Sequence, residues 1–184
     1  MNPAKRVTRA PRGGFTLIEV LLSAGVLFVA ATFGVQILMA ALNLSDSSNE
    51  RVLAYQGAQN VIEEMRDLPL DEVFARYNST AADNPAGTCP GPNFGIAGLR
   101  ARNGDADGLV GEIILPEDPN DATVLLESLN DRGLGLPGDL DLNGTVDVTD
   151  VSSSYRWLPV LVRVRWLGKS GSSTLQVSTV LGGI

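Results

Sequence analysis

The sequence predicts an α+β chain in which a long N-terminal α-helix packs on a small antiparallel β-sheet head. Three observations predict it. Residues 15–42 form an almost unbroken apolar run, residues 43–68 continue it with apolar positions at helical spacing, and residues 158–182 alternate as two strands around a Gly-Lys-Ser-Gly turn. At 184 residues the chain suits one modest domain with an added element.

Residues 1–14 hold Lys5, Arg6, Arg9 and Arg12, no acid, and end in Gly13-Gly14. A cationic leader before an apolar stretch is a topology signal that keeps the basic end in the cytoplasm. The expected location is a single pass through the inner (cytoplasmic) membrane, N-terminus in and head outside. The run from Phe15 to Leu42 exceeds the roughly 20 apolar residues that a helix needs to cross a bilayer core, and it contains no proline. Ala24, Gly25, Ala30, Ala31 and Gly34 would let helices approach closely. Within this run stands one acid, Glu19. An ionisable group there is costly unless it is paired, so it marks a functional position, or else it snorkels to the headgroups.

The segment Gly13-Gly14-Phe15-Thr16-Leu17-Ile18-Glu19-Val20-Leu21 resembles the N-terminal signal of type IV pilins and type II secretion pseudopilins. The resemblance implies cleavage by a prepilin peptidase between Gly14 and Phe15, N-methylation of Phe15, and a docking role for Glu19 during assembly. The partners it implies are other pilins or pseudopilins, met through the N-terminal helix, the peptidase and the inner membrane. Family members that cap a filament tip often lack this glutamate, so Glu19 argues against a role at the tip alone. Many major pilins carry a proline where this chain has Gln36, which sets it apart from them.

Beyond Asn43, Val61, Ile62 and Met65 recur at helical spacing, and Leu68-Pro69 supplies a stop. A helix from Phe15 to about Asp67 would be about 80 Å long. The stretch Ala58 to Arg66 with Leu68-Pro69 is similar to minor pilins and I-type minor pseudopilins. In the head, 69–184, Val160, Val162, Val164 and Trp166 fall on one strand face with Arg163 and Arg165 opposite. Residues 111–115 form a third strand candidate, and residues 78–108 read as loops.

Residues 139–150, DLDLNGTVDVTD, carry the head's chemistry. Calcium takes six to eight oxygen ligands, and an EF-hand loop draws them from positions 1, 3, 5, 7, 9 and 12 around a glycine at 6. Asp139, Asp141, Asn143, Asp147 and Asp150 fill the side-chain positions, Gly144 the turn, and Thr145 offers a carbonyl. The loop resembles an EF-hand, and its aspartate at the twelfth position is closer to the dockerin version. Asn103, Asp105 and Asp107 repeat the opening pattern without a closing acid, a weaker second candidate.

Composition narrows the remaining classes. The chain has no His and one Cys, Cys89, so it lacks an intrachain disulfide, a Cys/His zinc site and His-based catalysis. Cys89 lies in a Pro/Gly loop, as a free thiol or an intermolecular link. Fourteen basic against 21 acidic residues, a net −7, disfavours nucleic acid as a bulk partner. The expectation is a non-enzymatic assembly subunit of a pilus or secretion pseudopilus. Its rivals are a DNA-uptake pseudopilin and a membrane-tethered calcium-binding module that does not polymerise.

Overall fold

The computed structural model describes residues 14, 16–80, 90–169 and 171–182. The basic leader, Phe15 and Cys89 lie outside the described residues. The fold is α+β as the sequence predicts, with a long helix and an antiparallel sheet. The chain divides into two units, Met1–Leu42 and Asn43–Ile184.

Helix α1, Leu17–Arg66, runs unbroken for 50 residues and contributes to both units. In the first unit it starts at a capping pattern, Thr16-x-x-Glu19, where the Glu19 amide donates to Thr16 Oγ1 at 3.4 Å. Ser23 and Thr32 return their hydroxyl protons to the carbonyls of Val20 and Val29. Their polar groups are thus satisfied within the helix, as an apolar medium requires. Every residue from Leu17 to Leu42 is exposed. A helix that is apolar all round is normally covered by protein or lipid. This one is long and apolar enough to cross a membrane.

In the second unit α1 buries Ala54, Ala58, Ile62 and Met65, a stripe at intervals of four, four and three. Small residues bring the helix close to its neighbours. A Cβ on Gly57 would stand 2.5 Å from Ile96 Cδ1. The helix stops at Arg66, just before Leu68-Pro69, and a helix absent from the sequence reading, α2 (Leu70–Tyr77), begins directly after Pro69. It buries Val73, Phe74 and Tyr77.

The strands are β1 (Asn93–Phe94), β2 (Gly111–Ile114), β3 (Glu117–Asp118), β4 (Asp121–Leu125), β5 (Trp157–Gly168) and β6 (Gly171–Gly182). The main sheet has the order β1-β2-β5-β6, antiparallel throughout, and β3-β4 form a separate pair. Val160, Val162, Val164 and Trp166 of β5 are buried to 2% exposure or less. Leu161, on the opposite face, is also buried, and a Cβ on Gly133 would lie 3.0 Å from it. The irregular segment 126–156 therefore reaches the second face of the sheet at this point. At the hairpin turn, Glu50 accepts from Trp166 Nε1 at 3.2 Å and from the Lys169 amide at 3.4 Å, while Lys169 pairs with Asp46.

Tyr155 joins the segment after the Asp/Gly loop to α2. Its hydroxyl donates to the Leu70 carbonyl and accepts the Phe74 amide. Burial pushes its pKa up to about 12. A raised folded-state pKa means that the native state holds its proton longer, so this stability is complete below pH 10 and lost as pH rises toward 12. Unfolding measured between pH 9 and 12 is expected to show a loss of about 2–3 kcal/mol that is absent from Tyr155→Phe. Equal losses in both proteins would assign the alkaline transition elsewhere.

Candidate metal centre

Strand β4 ends at the buried Leu125, and two residues later Glu127 is fully buried. A carboxylate in that position must have its oxygens satisfied. Glu127 Oε1 accepts the amides of Leu140 (2.7 Å) and Asp141 (3.1 Å), and Oε2 accepts the amide of Asp147 (2.8 Å). The Glu127 carbonyl accepts the Gly138 amide at 3.2 Å. One side chain thus holds both limbs of the loop 139–150.

Within the loop, side chains turn toward a common centre. Asp139 accepts the amide of Asn143 on Oδ1 (3.1 Å) and that of Gly144 on Oδ2 (2.8 Å). The Asn143 amide nitrogen Nδ2 bridges Asp141 (3.0 Å) and Asp147 (2.9 Å), and Asn143 Oδ1 accepts both the amide and the hydroxyl of Thr145 (2.8 and 2.7 Å). Gly144 adopts φ +94°, the turn that a residue with a Cβ resists. Leu142 also has positive φ, 62°, an uncommon conformation for leucine.

Carboxylate oxygens of Glu127, Asp139 and Asp141 lie within 4.8 Å of one another, a group that could hold a metal ion. Its donors are all oxygen, the chemistry of a hard cation such as calcium or magnesium rather than zinc. The base of the loop is fastened to β5. Trp157 Nε1 donates to the Asp139 carbonyl at 2.5 Å, and the amides of Arg156 and Trp157 donate to the Leu140 carbonyl at 2.8 and 3.2 Å.

The structure thus brings together five of the residues read from the loop motif: Asp139, Asp141, Asn143, Thr145 and Asp147. The sixth, Asp150, has other partners. Its Oδ1 accepts the amides of Leu125 (3.0 Å) and Ser152 (2.9 Å), and its Oδ2 accepts the Ser152 hydroxyl (2.9 Å). The acid grouped with Asp139 and Asp141 is Glu127, which sequence reasoning missed. The one local sign was a lone acid among leucines, Leu125-Leu126-Glu127-Ser128-Leu129.

Asn103, Asp105 and Asp107 are fully on the surface and outside that group. Asp107 accepts the Leu109 amide at 3.0 Å, and this bond, helped by the charge of Arg165, holds its carboxyl below the usual range. Arg102 and Arg165 line the same surface depression. Arg165 pairs with Glu112 and Arg102 with Ser173 and Thr174, so two positive charges stand beside these acids and oppose a second cation.

At the N-terminal end, Gly14 is exposed, and Glu19 lies exposed in the first turn of α1. A carboxylate there is favourable to the helix dipole whatever else it does. The chain matches no known family model, and no characterised protein or solved structure is significantly similar to it.

Proposed function

We propose that the chain is a structural subunit of a type IV pilus or type II secretion pseudopilus, a minor pilin or pseudopilin, cleaved between Gly14 and Phe15 and assembled through its N-terminal helix. The observation that carries this reading is the helix Leu17–Arg66: an exposed surface of apolar side chains begins three residues after Gly14 and runs to Leu42, and beyond the polar stretch 45–51 the same helix buries Ala54, Ala58, Ile62 and Met65. Cleavage would free an α-amine at Phe15, one helical turn from Glu19. The carboxylate can then meet the ammonium of its own or a neighbouring chain, which offsets the cost of an acid in an apolar medium.

The head adds a calcium site built on Asp139, Asp141, Asn143, Thr145 and Asp147 with Glu127 behind them. Calcium there would order the loop and, through Asp139 and Leu140, the start of β5. The role is structural: it fixes the head that the helix presents.

The test is the mature N-terminus. Mass spectrometry of protein from cells that contain a prepilin peptidase is expected to find a chain beginning at N-methylated Phe15. A terminus near Asn43, left by a conventional signal peptidase, would remove the apolar helix and overturn the reading. An intact leader would favour the tethered calcium module that does not polymerise.

A further inference from the structure

We propose that the outer edge of β6 docks the same strand of a second copy, the two pairing antiparallel about a two-fold axis at Ser178. Strand β6 ends the main sheet, and among the described residues no strand lies beyond it. Which of its groups are free follows from β5. The amides of Arg165 and Leu167 donate to the carbonyls of Val110 (2.7 Å) and Arg100 (2.8 Å), away from β6. The even-numbered residues of β5 therefore bond to β6. With Val164 opposite Leu175 and Val162 opposite Val177, they meet its odd-numbered residues. The N–H and C=O groups of Thr174, Gln176, Ser178, Val180 and Gly182 are left facing outward.

Natural edge strands are protected by charge, proline, bulges or shortness. Strand β6 itself has none of these, although Arg102 donates to the Ser173 carbonyl (3.1 Å) and Thr174 Oγ1 (2.6 Å), and Arg66 to Thr179 Oγ1 (3.4 Å). Its 12 residues include no charged side chain and no proline, and its register with β5 runs unshifted from Gly171 to Gly182. In a chain of net charge −7, a strand without charged side chains, whose nearby Arg66 is paired with Glu63 at 2.6 Å, lets two copies meet with little like-charge repulsion.

The strand also sets compatible residues at equal distances on either side of Ser178: Leu175 and Leu181, Gln176 and Val180, Val177 and Thr179. Setting Ser178 opposite itself places outward-bonding residues opposite one another, Gln176 with Val180 and Thr174 with Gly182. On the core-facing side it pairs Leu175 with Leu181 and Val177 with Thr179, combinations that antiparallel sheets favour. A cleft of about 470 Å³, lined by Met65, Leu68, Val73, Val180 and Leu181 among others, adjoins that end of the strand. It offers the incoming Leu175 an apolar seat, the pocket that strand addition uses for specificity.

The test uses the full chain carrying Cys89→Ser, oxidised in whole cells. Ser178→Cys would set two thiols opposite each other at a Cα separation of about 5.5 Å, within the reach of a disulfide. Thr174→Cys is as exposed, yet its two copies would stand about 27 Å apart along the strands. Ser178→Cys is expected to give a dimer of doubled mass and Thr174→Cys none. Adding Gln176→Lys with Val180→Lys, which sets lysines opposite each other on exposed positions, is expected to abolish the dimer without lowering the melting temperature. Equal cross-linking at both positions would place the contact elsewhere. A Ser178→Cys adduct of another mass would mean that a different protein's strand occupies the edge. Absence of any adduct, or a dimer that survives the lysines, would overturn the proposal outright.

Discussion

Glu127→Ala is expected to destabilise the head by about 3–5 kcal/mol. The carboxylate is fully buried and accepts three amides, those of Leu140, Asp141 and Asp147. Truncation leaves those donors without partners, each at a cost of about 1–3 kcal/mol unless water enters. It also leaves a space beside Leu140, which is fully buried. Glu127→Gln keeps the shape and one acceptor oxygen but turns an NH₂ group toward an amide donor, so an intermediate loss is expected. Surface pairs provide the contrast. Arg163 and Arg165 reach Glu112 at 3.5 and 3.0 Å, but all three side chains are about a third exposed or more, and such pairs contribute about 0–1 kcal/mol. Glu112→Ala therefore serves as the control. Denaturant unfolding of both variants measures the difference. A Glu127→Ala loss no greater than that of Glu112→Ala would show that the loop is not anchored by this carboxylate.

The division between what could be read and what could not follows the range of the interactions. The apolar run and the Val160-Val162-Val164-Trp166 face announce themselves because each residue's environment repeats within a few positions along the chain. The stop after Arg66 is equally local, set by Pro69. Helix α2 is only eight residues long and takes its order from buried contacts, including Tyr155, 81 residues from Phe74. Glu127 could not be found by motif spacing, because its bonds span 13 to 20 residues to a loop that already looked complete. Asp150 shows the converse. Its spacing fits the twelfth position of a calcium loop, yet the amide of Leu125, at the end of β4, claims it. Thr16 was read only as part of a processing signal, although it also caps the helix through the Glu19 amide. Sequence spacing identifies donors of the right chemistry, whereas the tertiary fold decides which of them face one another.

Calcium is expected to stabilise the head by about 2.7 kcal/mol when present at a hundredfold excess over its Kd, a rise of about 10 °C in Tm. The measurement can use the fragment beginning at Asn43, because among the described residues every buried apolar one lies at or beyond Ala54. Without metal the loop relies on Asn143 Nδ2 to bridge Asp141 and Asp147, and on backbone amides to satisfy Asp139. A neutral amide offsets only part of the repulsion between those carboxylates, and a divalent cation would offset more. Asp139→Ala and Asp141→Ala should each abolish most of the gain, and Asp105→Ala should leave it unchanged, since Arg102 and Arg165 already face that surface. Asp150→Ala separates two readings of the loop. If Asp150 serves β4 alone, the variant loses stability equally with and without calcium. If it closes the metal site, the calcium increment itself disappears. Magnesium should substitute poorly, because it requires a tighter octahedron and gives up its water reluctantly. Calorimetry that finds no heat of calcium binding to a folded head at millimolar metal would reduce the loop to an acidic turn anchored by Glu127.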